Sequence, residues 1–117
     1  DVGEKAVRYA MDLLRMELPK WSQPSRRPVT DNIWYALLRG LASSTVDTRI
    51  VQVPICVAAL HGTDAIREGA AHALGTLANR KDSRNLFPRN VLSQMSNTDP
   101  YPMAKETATE ILAEIEG

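Results

Sequence analysis

The sequence is poor in cysteine, in net charge and in aromatic residues. Cys56 is the one cysteine among 117 residues, so no disulfide can form within the chain. The 14 basic and 14 acidic residues balance, which removes the overall positive charge typical of proteins that bind nucleic acid or anionic membranes. Aromatic side chains make up 5% of the residues.

Motifs for catalysis and for metal binding are also missing. The sequence contains no G-x-S-x-G, H-E-x-x-H or G-x-x-x-x-G-K-[ST]. The two histidines, His61 and His72, have no cysteine or carboxylate at ligand spacing, whereas a metal site needs three or four converging ligands. Glu106, Glu110 and Glu114 recur every four residues, as on a solvated helix face. We therefore expect no enzyme, no metal site and no cofactor.

Long apolar runs are absent as well, and none approaches the length of a membrane span. No signal or transit peptide is recognisable in these residues. Cys56 lies within the apolar stretch 53–60, which is typical of a buried and unreactive thiol. These features predict a cytoplasmic protein that does not enter a membrane.

Apolar residues instead recur at helical spacing in six segments, with no strand-like alternation. The predicted helices cover about 2–18, 31–43, 47–61, 64–79, 83–96 and 102–116. The polar, proline-rich stretch 19–30 separates the first two helices, Pro54 is expected to kink the third, and 97–102 reads as a turn. The helices pair into hairpins of about 2–43, 47–79 and 83–116, which form a single all-α domain over 1–117.

An internal repeat indicates how these hairpins are arranged. The segment 66–77 reappears in outline as 104–115, and 38–42 matches 74–78 more weakly. Self-similarity at this period is typical of stacked repeats, in which one unit cannot bury its apolar face alone. The sequence therefore predicts a short right-handed α-solenoid of three stacked helical hairpins.

The segment 50–77 resembles one HEAT-type repeat. It has a proline in its first helix, Pro54, then the turn residue Asp64, an Ile-Arg pair ending at Arg67 and the step Ala73–Leu74–Gly75. The segment 86–115 resembles a second repeat, although it has extra turn residues around 100–102, Lys105 where arginine is usual and Ala113 where glycine is usual. The resemblance implies a HEAT-like solenoid with a binding role and no particular partner.

Asp64 and Arg67 are predicted to stabilise the stack. Thr63 or Asp64 would cap the fourth helix, and Arg67 could reach the equivalent turn of the neighbouring hairpin. In HEAT-type proteins, positions like these resemble a ladder of contacts between repeats. Asp99 and Lys105 would then form the next rung.

The second helix of each hairpin is expected to line a concave face. We predict a non-enzymatic protein-binding module or scaffold that uses this face and the loops 19–30 and 97–102. The candidate binding residues are Trp21, Arg26, Arg27, Trp34, Tyr35, Arg39, Arg67, His72 and Tyr101. Trp21 and Tyr101 have an alternative role, in which they fold back as lids on the core.

The uneven charge distribution leaves other functions open. Residues 20–90 hold ten basic and five acidic side chains, whereas 91–117 hold one and five. The basic residues at 26–27 and 80–89 could contact phosphates, so a nucleic-acid contact module is one alternative. The asymmetry could also favour head-to-tail attraction between copies or docking on an oppositely charged partner. An accessory or lyase-like HEAT domain that binds a small ligand is a further alternative.

The first helix is the expected site of self-association or of docking by a preceding domain. Besides its main apolar stripe it carries Val2, Ala6, Leu13 and Met16, which point partly away from that stripe. The last helix has one narrow apolar stripe and an acidic outer face, which is typical of a terminal cap.

Overall fold

A computed structural model describes residues 2–22, 31–80 and 86–116 of the protein. The described residues contain six α-helices and no strand, which confirms the all-α prediction and its six helices. A 3₁₀ turn at Leu18–Lys20 follows the first helix and contains Pro19. The helices are α1 (Val2–Glu17), α2 (Asp31–Ser43), α3 (Thr48–His61), α4 (Asp64–Ala78), α5 (Leu86–Thr98) and α6 (Pro102–Glu116).

The connection between α5 and α6 is shorter than the sequence predicts. Helix α5 continues to Thr98, and the amide of Asp99 still donates to the carbonyl of Met95 at 3.0 Å. The predicted turn at 97–102 is therefore only the three residues 99–101. The polar run Ser-Asn-Thr at 96–98 has low helix propensity. Its backbone hydrogen bonds to the preceding turn nevertheless keep these residues helical.

Side-chain caps explain where α3 and α4 begin. The carboxylate of Asp47 accepts the amide of Arg49 at 2.8 Å, and a hydrogen bond from the Arg49 side chain lowers the pKa of this carboxyl. At the next helix the hydroxyl of Thr63 accepts the amide of Ile66 at 3.4 Å. Of the two capping residues predicted for α4, Thr63 and not Asp64 is the N-cap, because Thr63 has the extended backbone and the accepting hydroxyl.

The six helices form two layers. Helix α4 contacts α2 on one flank and α6 on the other, while α3 and α5 pack behind it and α1 packs on α3. The molecule measures 41 × 37 × 17 Å, and its shortest dimension fits two helices in depth. Helix α4 is therefore the central element, with neighbours on all sides except one.

Two glycines let the flanking helices approach α4 closely. A Cβ atom on Gly69 would lie 2.7 Å from the ring atom Cδ2 of Tyr35 in α2. One on Gly75 would lie 2.8 Å from Cγ2 of Ile111 in α6. Any larger residue would push these side chains away, so both glycines set the spacing between α4 and its flanks.

Burial is deepest on α4 and weaker on α6. Leu74 and Leu77 are fully buried, whereas their counterparts in the internal repeat, Leu112 and Ile115, are only half-buried. Among the described helices, α6 has neighbours only in α4 and α5, so part of its apolar stripe stays open. This also accounts for Ala113 at the position of Gly75, because no further described helix packs against it.

Cys56 is buried in α3, and burial raises the pKa of its thiol to about 12. At pH 8 the folded protein should therefore hold this thiol protonated, while an unfolded chain exposes a thiol of ordinary pKa. We expect a disulfide reagent such as DTNB to react at least roughly a hundredfold more slowly with the native protein than with the protein in denaturant. Equal rates would contradict the burial of Cys56.

Candidate functional site

The exposed side of α4 forms the floor of a groove. Packing on four other helices leaves only one stripe of α4 facing outward, which consists of Ala65, Glu68, His72, Thr76 and Asn79. Helices α2 and α6 rise on either side of this stripe. We call the stripe and its two walls the α4 groove, and it lies on the face that the sequence predicts as the binding face.

The wall made by α2 carries aromatic and basic side chains. The rings of Tyr35 and His72 lie 6.5 Å apart between their centroids, tilted by 60°. The guanidinium carbon of Arg39 lies 5.8 Å from the centroid of the Tyr35 ring, within the range of a cation–π contact. Because Gly69 has no side chain, the Tyr35 ring can pack directly on α4. Three of the predicted binding residues therefore come together here.

Ser43 and Thr76 complete this part of the groove. Together with Tyr35, Arg39 and His72 they line a recess of about 360 Å³ between α2 and α4, which we call the Arg39 recess. Neither hydroxyl residue was predicted from the sequence. Helical spacing could have identified them, because Ser43 follows Arg39 by one turn and Thr76 follows His72 by one turn, which places each pair on the same face.

The wall made by α6 is acidic. The hydroxyl of Thr109 lies 2.7 Å from that of Ser96 in α5, which fixes the rotation of α6 about its axis. Helical spacing then places Glu114, with Glu110 beside it, on the flank of α6 that faces away from α5. Both carboxylates are on exposed residues. The groove therefore has a basic, aromatic wall on one side and an acidic wall on the other.

Trp34 and Trp21 do not belong to any contact surface. Trp34 is 0% exposed and Trp21 is 8% exposed, with the two rings packed edge to face at 5.3 Å between centroids. Trp34 lies on the side of α2 that packs into the core, so its assignment as a binding residue is wrong. The alternative in which Trp21 folds back onto the core matches its position.

Tyr101 also packs inward. It is half-buried against the core, and its hydroxyl donates to the sulfur of Met103 at 3.1 Å. The carboxylate of Asp99 accepts the amide of Tyr101 at 2.9 Å, which closes the short turn. The prediction that the 97–102 loop projects Tyr101 as a contact residue is therefore corrected in favour of the lid alternative.

Arg67 joins two hairpins instead of facing the groove. Its guanidinium donates to both carboxylate oxygens of Asp99, at 3.0 and 3.1 Å, and to Asp64 at 2.6 Å. It also donates to the carbonyl of Gly62 at 2.8 Å. The side chains of Arg67 and Asp99 are 13% and 4% exposed, so Arg67 is not available as a binding residue. It reaches the neighbouring turn that the ladder prediction assigned to it.

Lys105 does not continue these contacts. Its side chain is exposed, and none of the described carboxylates pairs with it. Asp99, its predicted partner in the rung, is already occupied by Arg67. The prediction of a second rung through Lys105 is therefore not met in the described part of the chain.

Arg80 caps the end of α2, a role that was not predicted from the sequence. Its guanidinium donates to the carbonyls of Ala42 at 2.7 Å, Ser44 at 2.6 Å and Val46 at 2.6 Å. The last carbonyls of a helix have no partner within the helix, and Arg80 supplies donors where α2 ends. It was predicted as part of a basic cluster for phosphates, and the structure corrects this because its donors face backbone oxygens. Arg80 follows the end of α4, and no pattern in the neighbouring sequence predicts its contact with the end of α2.

The remaining residues of the predicted basic clusters give little support to a nucleic-acid site. Arg26 and Arg27 lie outside the described residues, as do Lys81 and Arg84. Arg89 is exposed on α5. No cluster of cations is therefore assembled by the described residues.

We expect Arg80→Ala to lower the free energy of unfolding by about 1.5–3 kcal/mol, because hydrogen bonds from a charged donor are lost and carbonyls at the end of α2 are left unpaired. Urea denaturation monitored by circular dichroism measures the change. Arg89→Ala removes the same charge from an exposed site and should change stability by no more than about 0.5 kcal/mol. Equal changes in the two variants would contradict the capping role of Arg80.

On α1, the exposed apolar residues differ from those predicted. Leu13 and Ala6 are half-buried against the core. Tyr9 and Met16 are instead 56% and 64% exposed. Leu13, which was predicted to point partly away from the main stripe, therefore still packs on the core, whereas Met16 is exposed as predicted.

The described residues contain no group of three or more His, Cys, Asp or Glu side chains placed to hold a metal ion. None of the described helices is both long and apolar enough to cross a membrane. Comparison of the chain with models of known protein families, with curated proteins and with solved structures finds no match.

Proposed function

We propose that the protein is a HEAT-like α-solenoid of three stacked hairpins. The order of packing supports this proposal, because α2, α4 and α6 follow one another in one layer and α1, α3 and α5 in the other. Arg67 ties the second hairpin to the third, and Arg80 ties the second to the first. The free thiol of Cys56 fits a reducing cytoplasmic compartment.

We further propose that the protein is a non-enzymatic binding module that holds an extended or helical peptide of another protein in the α4 groove. The observation that carries this proposal is the cluster of Tyr35, Arg39 and His72, three exposed side chains that come together where the α2 wall meets the floor of the groove. Tyrosine and arginine are enriched at protein interfaces, and the contact with Gly69 limits the freedom that Tyr35 would lose on binding. The acidic wall opposite gives a bound peptide a preferred direction.

Selection from a displayed library of random peptides would test the groove. Peptides that bind through it should bind at least roughly tenfold more weakly to Tyr35→Ala, because this change removes the ring on which the cluster is built. Phe87→Ala, which trims an exposed aromatic ring on α5, is the matched control and should not alter binding. Peptides that bind both variants equally, or the absence of any peptide selected from unmodified and phosphorylated libraries alike, would contradict the proposal.

The exposed apolar residues of α1 favour a second contact, which we propose to be self-association or docking of a preceding domain. Sedimentation of Met16→Glu on α1 and Met103→Glu on α6 compares two exposed methionines, 64% and 53% accessible. The α1 change should reduce a concentration-dependent dimer, and the α6 change should leave it intact. A dimer that only Met103→Glu disrupts would place the contact at the opposite end of the protein.

A further inference from the structure

We propose that the Arg39 recess binds a phosphate monoester, and that the partner of the α4 groove is therefore a phosphorylated peptide. This inference rests on the proposed function for the peptide, while the recess itself is argued from its own side chains. The recess is lined by one guanidinium, one imidazole and three hydroxyl groups, on Arg39, His72, Tyr35, Ser43 and Thr76. No carboxylate is among these lining residues.

Arg39 differs from Arg67, Arg49 and Arg80 in how its guanidinium is held. Arg67 and Arg49 are paired with carboxylates, and Arg80 is occupied by backbone carbonyls. None of the described carboxylates pairs with Arg39, which lies over the ring of Tyr35 instead. A contact with the face of a ring uses no N–H group, so the planar donors of Arg39 remain available to an anion.

The number of donors favours a phosphoryl group over a carboxylate. Guanidinium groups bind either anion with two parallel hydrogen bonds, but a phosphate monoester has three terminal oxygens and a carboxylate has two. The hydroxyls of Ser43 and Tyr35, and an N–H of His72, are donors beyond those of Arg39. Thr76 donates to the carbonyl of His72 at 3.4 Å, which is longer than usual for a hydroxyl, so this group can also turn toward a ligand.

The acidic wall of the groove sets where the phosphate lies. Glu114 and Glu110 stand on α6, across the α4 stripe from Arg39, so they repel an anion from that side. A phosphorylated side chain is therefore directed to the α2 wall, and basic residues of the same peptide fit the α6 wall. The recess, at about 360 Å³, has room for the phosphoryl group together with the side chain that carries it.

Titration of the ¹⁵N-labelled protein with N-acetyl-O-phosphoserine amide, followed by NMR in about 0.15 M salt, tests the recess without any partner protein. We expect saturable shifts at the Arg39 side chain and at the amides of His72 and Thr76. The glutamate analogue, N-acetylglutamate amide, should bind at least roughly fivefold more weakly, because it offers fewer acceptor oxygens. Arg39→Gln should weaken phosphoserine binding roughly tenfold or more.

Arg89→Gln is the matched control, since it removes an exposed arginine from α5 and should leave the titration unchanged. Both variants lie at exposed positions, and their thermal unfolding midpoints verify that they fold. Three results would each overturn the proposal. They are NMR shifts spread over all basic residues, an equal loss of phosphoserine binding in the two variants, and equal affinity for the glutamate analogue. Peptides that bind the groove in the library selection without phosphoserine binding would overturn this inference alone. Phosphoserine binding, with no peptide selected even from a library that carries a fixed phosphoserine, would overturn only the peptide-binding proposal.

Discussion

Replacing Trp34 with alanine is expected to lower the free energy of unfolding by about 3–5 kcal/mol, because the indole is fully buried and its loss leaves a large cavity. Trp34 also supports Trp21, whose ring packs edge-on against it, so part of the cost is the loss of that contact. Chemical denaturation with tryptophan fluorescence and circular dichroism gives the value for the wild type and the variant.

Ile33→Ala is the control for this experiment. Ile33 is the neighbour of Trp34 in α2 but is 51% exposed, so its truncation should change stability by no more than about 0.5 kcal/mol. A small effect for Trp34→Ala would mean that the ring lies on the surface, as its predicted binding role implied, and that α2 is rotated relative to α4.

Leu74→Ala should destabilise the protein by about 2–5 kcal/mol, because Leu74 is fully buried in the central helix and the closely packed helices around it cannot collapse into the space. Glu110→Ala on the exposed face of α6 should change the free energy of unfolding by at most about 0.5 kcal/mol. The same denaturation measurement serves both variants. Effects of similar size would show that the faces of α4 and α6 have been assigned wrongly.

The helices were predictable because their signals are local. The caps at Asp47 and Thr63 and the apolar spacing within each segment depend on a few neighbouring residues, and these placed the starts of α3, α4 and α6 within one residue. The predicted start of α5 falls in residues 81–85, which lie outside the described part of the chain. The end of α5 was placed too early because polar residues at 96–98 were given more weight than the continuing backbone hydrogen bonds.

The candidate site was only partly predictable, because exposure depends on the partner helices. Tyr35 and Trp34 are adjacent aromatic residues in α2, and helical geometry separates them by about 100° around the axis. The helical spacing of Trp34 with Leu38 and Leu41 indicated that Trp34 faces the core, and the assignment of Trp34 as a binding residue went against this signal. The contacts of Arg80 depend instead on the end of a helix more than 30 residues earlier, so its sequence neighbours carry no trace of them.

The two arginine contacts also bear on the order in which the protein takes shape during synthesis. Arg80 reaches the carbonyl of Val46 across a separation of 34 residues, and Asp99 reaches Arg67 across 32. Each hairpin therefore receives a stabilising side chain that emerges from the ribosome only after the hairpin itself has emerged. The first hairpin waits for Arg80 and the second waits for Asp99, so a nascent chain becomes stable in steps that lag one hairpin behind its translation.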